Sequence, residues 1–268
     1  MKKLALIIDE SGAKGDSNNQ EQYEGEFGIM VGFLIPYEVL EQCRKQSEFI
    51  FHELQIEGKL HITDLENDEQ KRIRDTIYMI FKENSIGWFY HSISVQRFFE
   101  NENKYKSSSS EKSSLHYELF QGVFYKALDF YRKHDEDIKK IDIKIITDNL
   151  DTGIIKKFKR KLQDTITIMT GNSLTKEINT YNKETNTLLK ATKTTQVKGS
   201  MIQWEDIQFE IITENSHLTF IADILANSTH YYIKQEIIKN KDINLNSKIA
   251  IKNHPLKDYV MELNDFQF

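Results

Sequence analysis

Leu4-Ala5-Leu6-Ile7-Ile8-Asp9-Glu10, near the start of the chain, decides the fold, because five apolar residues run directly into two adjacent acids. A continuous apolar run of this length predicts a strand buried on both faces, as at the centre of a mostly parallel sheet. The two acids then stand at the carboxyl end of that strand, which is the edge where open α/β sheets bind ligands. The run falls short of the roughly 7 to 15 apolar residues of a signal peptide, so we expect a folded strand and no leader.

Composition limits the class of protein. With 268 residues, of which 39% are hydrophobic, the chain can bury a core, and we expect a single domain over residues 1–268. The single cysteine, Cys43, excludes a disulfide framework and a thiolate zinc cluster, and it indicates a reducing compartment. No apolar stretch approaches the roughly 18 residues of a membrane span. We therefore expect a cytoplasmic protein without a membrane partner.

Charge is segregated along the chain. Residues 152–200 contain ten Lys or Arg and three acids, a net charge of +7, which leaves −12 for the remainder of a chain whose overall net charge is −5. A basic segment in an acidic protein indicates a phosphate-binding surface, although a solvated lysine-rich surface has the same composition. The candidate nucleic-acid-binding residues in this segment are Lys156, Lys157, Lys159, Arg160 and Lys161.

Periodicity and turn signals predict an α/β protein with five strands. The predicted strands lie at about residues 4–8, 27–35, 88–95, 141–148 and 207–213, and the predicted helices at 37–54, 67–83, 114–134, 154–162 and 216–239. Residues 101–114 are of low complexity, and the segments at about 37–84 and 172–200 are predicted insertions. This order of elements resembles the ribonuclease H fold, a mixed five-stranded sheet flanked by helices.

Three acids are predicted to meet in such a fold. Asp9 and Asp148 each close an apolar strand, and the first and fourth strands of that fold are neighbours and parallel, so the two side chains would emerge side by side. Asp223 lies between apolar neighbours in the last helix, where an unpaired carboxylate is costly. Helical spacing places it on one polar face with Thr219, Asn227 and His230.

Three crowded carboxylates either take up protons or bind cations, and Mg²⁺ or Mn²⁺ is the natural occupant because hard cations prefer oxygen ligands. Two such ions about 3.5 to 4 Å apart can activate water and stabilise the leaving oxygen of a phosphodiester. Each acid also has a structural alternative, since Asp9 and Asp148 can begin turns and Asp223 can be satisfied by a backbone donor.

Four motifs carry a family resemblance: Ile8–Gly12, Leu60–Leu65, Ile146–Asp148 and Ala222–Ala226. They resemble the bacterial and phage family named domain of unknown function 3800 (DUF3800). The resemblance implies a ribonuclease H-like fold, a metal-dependent nuclease site, and association with mobile elements and anti-phage defence, hence a partner protein from such a system. Carried over by position, the resemblance implies an acidic site formed by Asp9, Glu10, Asp148 and Asp223. It also implies that His61 and Asp64 are auxiliary groups of that site.

The sequence thus predicts a nuclease acting on DNA or RNA, in which Asp9, Asp148 and Asp223 hold the metal while Glu10 and His61 assist catalysis. Glu10 is the weaker ligand, because it points to the opposite face from Asp9 if the strand continues. The alternative is a non-catalytic module that binds nucleic acid or protein. A phosphotransferase of the sugar-kinase and actin group ranks last, because Ser11 stands where that group requires glycine. Nucleic-acid type, cleavage mode and oligomeric state are left open.

Overall fold

The computed structural model describes residues 1–14, 24–56, 61–104, 114–134, 137–148, 150–182, 187–196, 204–240 and 247–261. Seven strands lie in these ranges: β1 (Lys2–Gly12), β2 (Phe27–Pro36), β3 (Trp88–Ser94), β4 (Lys140–Thr147), β5 (Leu174–Asn182), β6 (Thr187–Thr195) and β7 (Asp206–Thr213). The same ranges hold seven α-helices: α1 (Leu40–Glu53), α2 (Asn67–Glu83), α3 (Val95–Lys104), α4 (Leu115–His134), α5 (Thr152–Met169), α6 (His217–Asn240) and α7 (Ser247–Ala250). Short 3₁₀ turns occur at Tyr37–Val39, Ile62–Asp64 and Lys257–Tyr259. Among the helices of the described ranges, none has the length and apolarity required to cross a bilayer.

The central sheet has five strands in the order β3-β2-β1-β4-β7. β1 is antiparallel to β2 and parallel to β4, β2 is antiparallel to β3, and β4 is parallel to β7. The predicted mixed five-stranded sheet flanked by helices is therefore confirmed, with the first strand at its centre. The predicted pair of helices between the second and third strands is also present, as α1 and α2.

β1 is central because its apolar run needs cover on both faces. Every side chain from Leu4 to Ile8 is at most 1% exposed. Successive side chains of a strand point to opposite faces, so such a strand is stable only between two helical layers. The continuous run at the start of the chain thereby requires the layered architecture.

The two layers divide the side chains of β1 between them. Ala5 and Ile7 belong to a core completed by α1, α2 and α6, whereas Leu6 and Ile8 belong to a core completed by α4 and α5. The alternation continues to the end of the strand. Asp9 therefore faces the layer of α6, and Glu10 faces the layer of α4.

A tight turn follows the two acids. Gly12 has a φ of +78°, and a Cβ at this position would lie 2.5 Å from the carbonyl oxygen of Phe27 and 2.7 Å from His230 Nε2. Both the left-handed backbone and the close approach require glycine here.

Three features differ from the predictions. The segment predicted to be of low complexity, residues 101–114, begins inside a helix, because α3 continues to Lys104. Residues 105–113 of that segment lie outside the described ranges. α5 extends to Met169, seven residues beyond its predicted end, because Ile166 remains on the apolar stripe of Phe158 and Leu162. The predicted insertion at 172–200 contains the hairpin β5–β6, with 183–186 and 197–200 outside the described ranges. Its strands lack the alternation that marks a half-buried strand.

Candidate functional site

The parallel pairing of β1 and β4 brings the first two acids together. The ladder runs to Ile7 opposite Ile146 and Ile8 opposite Thr147, so Asp9 and Asp148 are the next residues along the two strands. Both follow the alternation toward the α6 layer. Asp9 is 8% exposed, although it is a carboxylic acid in the central strand. The edge predicted to gather acids therefore does place these two side by side.

α6 packs across β1 and contributes the third acid, Asp223. Its Oδ2 accepts a hydrogen bond of 2.9 Å from the backbone N–H of Ile62, in the 3₁₀ turn that precedes α2. Its Oδ1 lies 3.7 Å from Nδ1 of His61, whose side chain is 57% exposed. Asp9 also lies close enough to Asp223 for the charge of Asp223 to act on it. The structure thus brings together Asp9, Asp148, Asp223 and His61.

Burial and the neighbouring acids make full ionisation unfavourable at this edge. Burial raises the pKa of Asp9 well above its ordinary value, and the charges of Glu10, Asp223 and Asp148 raise it further. Burial also raises the pKa of Asp223, although the Ile62 N–H and His61 oppose the shift. Carboxylates in such a setting hold protons or bind cations.

Glu10 lies on the other side of the sheet, with α4. Its side chain is only 7% exposed, and Lys14 Nζ lies 2.6 Å from its Oε1 while His116 Nε2 lies 3.6 Å from its Oε2. Burial alone would raise the pKa of Glu10, but His116 and Lys14 outweigh it and lower the pKa to about 2. Glu10 is therefore an ionised, compensated side chain that does not join the Asp9–Asp223 pair. Its catalytic role stays a prediction.

The two auxiliary residues carried over from the family resemblance lie in one turn. The backbone N–H of His61 donates to Asp64 Oδ2 at 3.2 Å, and the N–H of Asp64 donates back to the carbonyl of His61 at 2.9 Å. Asp64 thereby fixes the turn that presents His61 and the Ile62 N–H to Asp223. Asp64 thus stabilises the turn through its hydrogen bond to the His61 N–H, whereas the side chain of His61 lies beside Asp223.

The basic residues lie on α5, which begins at Thr152, four residues after Asp148. The apolar stripe of α5 packs into the core beneath the sheet, so its charged stripe faces outward. Three of the five candidates are exposed, namely Lys156, Lys159 and Arg160. The other two, Lys157 and Lys161, are half-buried. Lys161 Nζ lies 4.6 Å from the centre of the Tyr117 ring on α4.

A fourth carboxylate stands at the same sheet edge and was missed by the sequence analysis. Glu214 follows β7, and its backbone N–H donates to the carbonyl of Thr147 at 2.9 Å. Both of its carboxylate oxygens accept from the guanidinium of Arg44 on α1, one of them from Nε at 3.1 Å. An acid directly after an apolar strand is the same signal that marked Asp148. Arg44 carries no such signal, because only the packing of α1 against this edge brings it there.

The polar face of α6 is occupied by structural contacts on either side of Asp223. Thr219 Oγ1 donates to the carbonyl of Glu214 at 3.1 Å, and Asn227 Oδ1 accepts from Arg74 at 2.6 Å. The ring of His230 stacks on Phe27 with their centres 4.5 Å apart. The predicted polar face of α6 is therefore present, and its side chains on either side of Asp223 contact neighbouring elements of the fold.

Within the described ranges, no three or more His, Cys, Asp and Glu side chains are grouped so as to hold a metal ion. The donors at the Asp9 edge are hard carboxylate oxygens, which is the chemistry that Mg²⁺ and Mn²⁺ prefer. Burial raises the pKa of both Asp9 and Asp223, so a positive charge placed between them would be favoured. Comparisons of the chain with family models, with curated proteins and with solved structures find no match.

Proposed function

We propose that this protein is a metal-dependent nuclease that hydrolyses phosphodiester bonds in DNA or RNA. One observation carries the proposal, namely that Asp9 is buried at a sheet edge, where burial and the charges of Glu10, Asp223 and Asp148 raise its pKa. A protein gains nothing in stability from burying uncompensated carboxylates, so a ligand of opposite charge would explain why these acids lie together at one sheet edge. The strand order β3-β2-β1-β4-β7 supports a ribonuclease H-like assignment, and with it the resemblance to the DUF3800 family.

In this proposal Asp9, Asp148 and Asp223 hold Mg²⁺ or Mn²⁺. Two bound ions would supply an activated water and stabilise the leaving oxygen of the scissile phosphodiester. Because the pKa of Asp9 is raised, binding of the metal would compete with protonation of this side chain. The Ile62 N–H keeps the carboxylate of Asp223 in place throughout, because its donor lies in a turn fixed by Asp64.

His61 and the charged face of α5 complete the proposal. His61 is exposed beside Asp223 and can exchange protons with solvent, as a group that assists water or the leaving oxygen must. The lysines and arginine of α5 hold the nucleic-acid backbone through phosphate contacts, which give affinity without reading sequence. Target choice then belongs to nucleic-acid shape or to a partner protein, as the implied link with defence systems and mobile elements suggests.

Calorimetric titration of Mn²⁺ tests the proposal. The wild type and an Asp75→Asn control, whose side chain is exposed and paired with Lys71, should take up metal equally. Asp9→Asn, Asp148→Asn and Asp223→Asn should remain folded by circular dichroism and lose uptake. Each should also lose cleavage of labelled DNA and RNA substrates with Mn²⁺. Absence of uptake by the wild type, both alone and with non-cleavable phosphorothioate nucleic acid, would reject the nuclease.

A non-catalytic binding module is the second candidate. It is favoured by the hydrogen bond from the backbone N–H of Ile62, which satisfies the carboxylate of Asp223 without a metal ion. In a binding module Asp223→Asn would keep that bond through an amide and leave nucleic-acid or protein binding intact. The titration and the cleavage assay separate the two candidates, since only the nuclease loses an activity.

A further inference from the structure

Arg74, on α2, carries a positive charge that no described carboxylate compensates. Its Nη2 donates to Asn227 Oδ1 at 2.6 Å and to Gln70 Oε1 at 3.0 Å. Both acceptors are neutral amide oxygens, and within the described ranges Arg74 forms no ion pair. An arginine stays ionised in a protein, and a charge withdrawn from water is normally paired with an opposite one. The half-buried Arg74 therefore lacks the anion that its setting calls for.

The guanidinium of Arg74 also has donors without acceptors. Nε is buried, and no group in the part of the chain that the structure describes accepts its hydrogen. Nη1 has no acceptor there either, but it remains open to solvent. A buried donor without a partner is uncommon enough in native proteins to need an explanation, and a bound anion is one. Because Asn227 and Gln70 take both hydrogens of Nη2, the guanidinium plane is fixed while Nη1 stays available.

The guanidinium lies beside the acidic edge. Its acceptor Asn227 follows Asp223 by four residues on the same face of α6, so the two positions are about 6 Å apart along the helix axis. α2 reaches this face of α6 at two levels, because the turn that precedes α2 donates the Ile62 N–H to Asp223. Ile62 and Arg74 therefore contact successive turns of α6, one at the acid and one next to it.

Other cations around this edge are already taken by carboxylates. Arg44 forms an ion pair with Glu214. Lys14 forms one with Glu10, on the opposite face of the sheet. A cluster of acids attracts metal ions but repels the phosphates of a nucleic acid, so a substrate that reaches the cluster needs a cation that is not neutralised. Of these three cations, only Arg74 meets that condition within the described ranges.

We propose that Arg74 binds a phosphate of the nucleic-acid strand that the acidic edge cleaves, with its Nη1 donating to a phosphate oxygen. The inference deepens the proposed function and rests on it for the location of the cleaved bond. Because a strand advances about 3.4 Å per nucleotide, the offset of about 6 Å places that phosphate within about two nucleotides of the scissile bond. The planar guanidinium suits phosphate oxygens. Gln70 and Asn227 are positioning residues, which orient Arg74 without neutralising it.

Nucleic-acid binding in EDTA tests Arg74 without cleavage. Fluorescence anisotropy compares the wild type with Arg74→Gln on a labelled DNA strand of about 20 nucleotides, on the corresponding duplex and on the RNA strand. Arg74→Gln should bind about tenfold more weakly near 0.1 M salt, because a charge-assisted hydrogen bond is lost. The slope of log K against log salt should become shallower by about 0.7 on single strands and about 0.9 on the duplex, the values for one phosphate contact.

Arg72→Gln is the matched control. Arg72 is exposed, donates to the carbonyl of Leu54 at 3.0 Å, and lies two residues from Arg74, on a different face of α2. Its replacement should leave the affinity and the salt slope unchanged. Arg74→Lys keeps the charge as a point donor, so it should keep the salt slope and lose only part of the affinity. A purely structural role in joining α2 to α6 would instead lower the urea midpoint of both Arg74 variants and leave the salt slope unchanged.

The two proposals fail separately. Equal affinity and salt slope of Arg74→Gln and Arg72→Gln on every probe would overturn the phosphate contact, and Mn²⁺ uptake with cleavage would then leave the nuclease. Arg74-dependent binding by a protein that takes up no Mn²⁺ would remove the nuclease and leave a nucleic-acid-binding protein. Absence of binding by the wild type, both in EDTA and with Mn²⁺ on a phosphorothioate strand, would overturn the phosphate contact as well.

Discussion

Replacement of the two adjacent acids, one at a time, should change the stability of the metal-free protein in opposite directions. Glu10→Gln removes a buried carboxylate that Lys14 and His116 compensate, so it should lower the free energy of unfolding. Asp9→Asn removes a buried carboxyl group that its neighbours disfavour as an anion, so it should raise the free energy of unfolding. Urea unfolding in EDTA at pH 7, followed by tryptophan fluorescence, measures both changes.

The magnitude for Glu10 follows from its pKa, which falls from 4.5 to about 2 on folding. At 1.36 kcal/mol per unit, the ionised side chain contributes about 3 kcal/mol at pH 7. Because the folded-state pKa is lowered, this contribution is complete above pH 4.5 and is lost as the pH falls toward 2. The difference between the wild type and Glu10→Gln should therefore shrink in that window.

Asp9 has the opposite sign of pH dependence. The pKa of Asp9 is 3.8 in the unfolded chain and higher in the folded protein. At a pH between these two pKa values, the folded protein holds a proton that the unfolded chain has released. The wild type should lose stability as the pH rises through that interval, whereas Asp9→Asn should not.

Glu205→Gln is the matched control for Glu10. The Lys140–Glu205 pair has a separation of 3.6 Å, equal to that of His116 and Glu10, but the side chain of Glu205 is 54% exposed. Exposed pairs contribute at most about 1 kcal/mol, so this variant should unfold nearly as the wild type does. A change of the same sign for Glu10→Gln and Asp9→Asn, or an effect of Glu10→Gln no larger than that of the control, would refute the assignment of the two acids to different electrostatic settings.

Two further predictions concern residues outside the acid cluster. Burial lowers the pKa of His254 to about 3, and its Nδ1 accepts from the Leu256 N–H, so the folded protein keeps it neutral while the unfolded chain gains a proton below pH 6.5. Through this group the free energy of unfolding should fall by about 1.4 kcal/mol per pH unit from pH 6.5 toward pH 3. His254→Asn should flatten this dependence of stability on pH, as urea unfolding between pH 7 and 4.5 would show. Gly12→Ala should lower the free energy of unfolding by about 2 to 4 kcal/mol through backbone strain and the 2.5 Å approach to the Phe27 carbonyl. Gly25→Ala, with a φ of +80° and a nearest contact of 3.6 Å, should cost only about 1 kcal/mol in the same urea-unfolding comparison; equal costs would mean that the close contact at Gly12 contributes nothing.

The sheet and the meeting of three acids could be predicted because each depends on local pattern. An apolar run without alternation identifies a central strand, and an acid directly after such a run must emerge at its carboxyl end. Asp223 was identifiable as a polar residue among apolar helical positions, and α6 does pack across β1. These arguments need only the periodicities of strands and helices.

The compensation of charge could not be predicted in the same way. His116 reaches Glu10 because α4 packs on the far face of the sheet, and Arg44 reaches Glu214 across 170 residues of chain. No local pattern specifies which helix covers which acid. The hairpin was missed for a different reason, since Thr-rich strands exposed to solvent carry no apolar alternation, and their pairing depends on the register of Lys176 with Lys193 and its neighbours.

The parallel pairing of β1 with β4 also affects how the protein matures on the ribosome. β1 is made before the other strands of the sheet, yet one of its two neighbours begins at Lys140. Asp223 follows Asp9 by 214 residues, which at bacterial and eukaryotic rates is roughly 10 to 40 s of synthesis. During that interval the nascent chain carries Asp9 without the helix that covers it. The acidic site therefore remains incomplete until Asp223 has been translated.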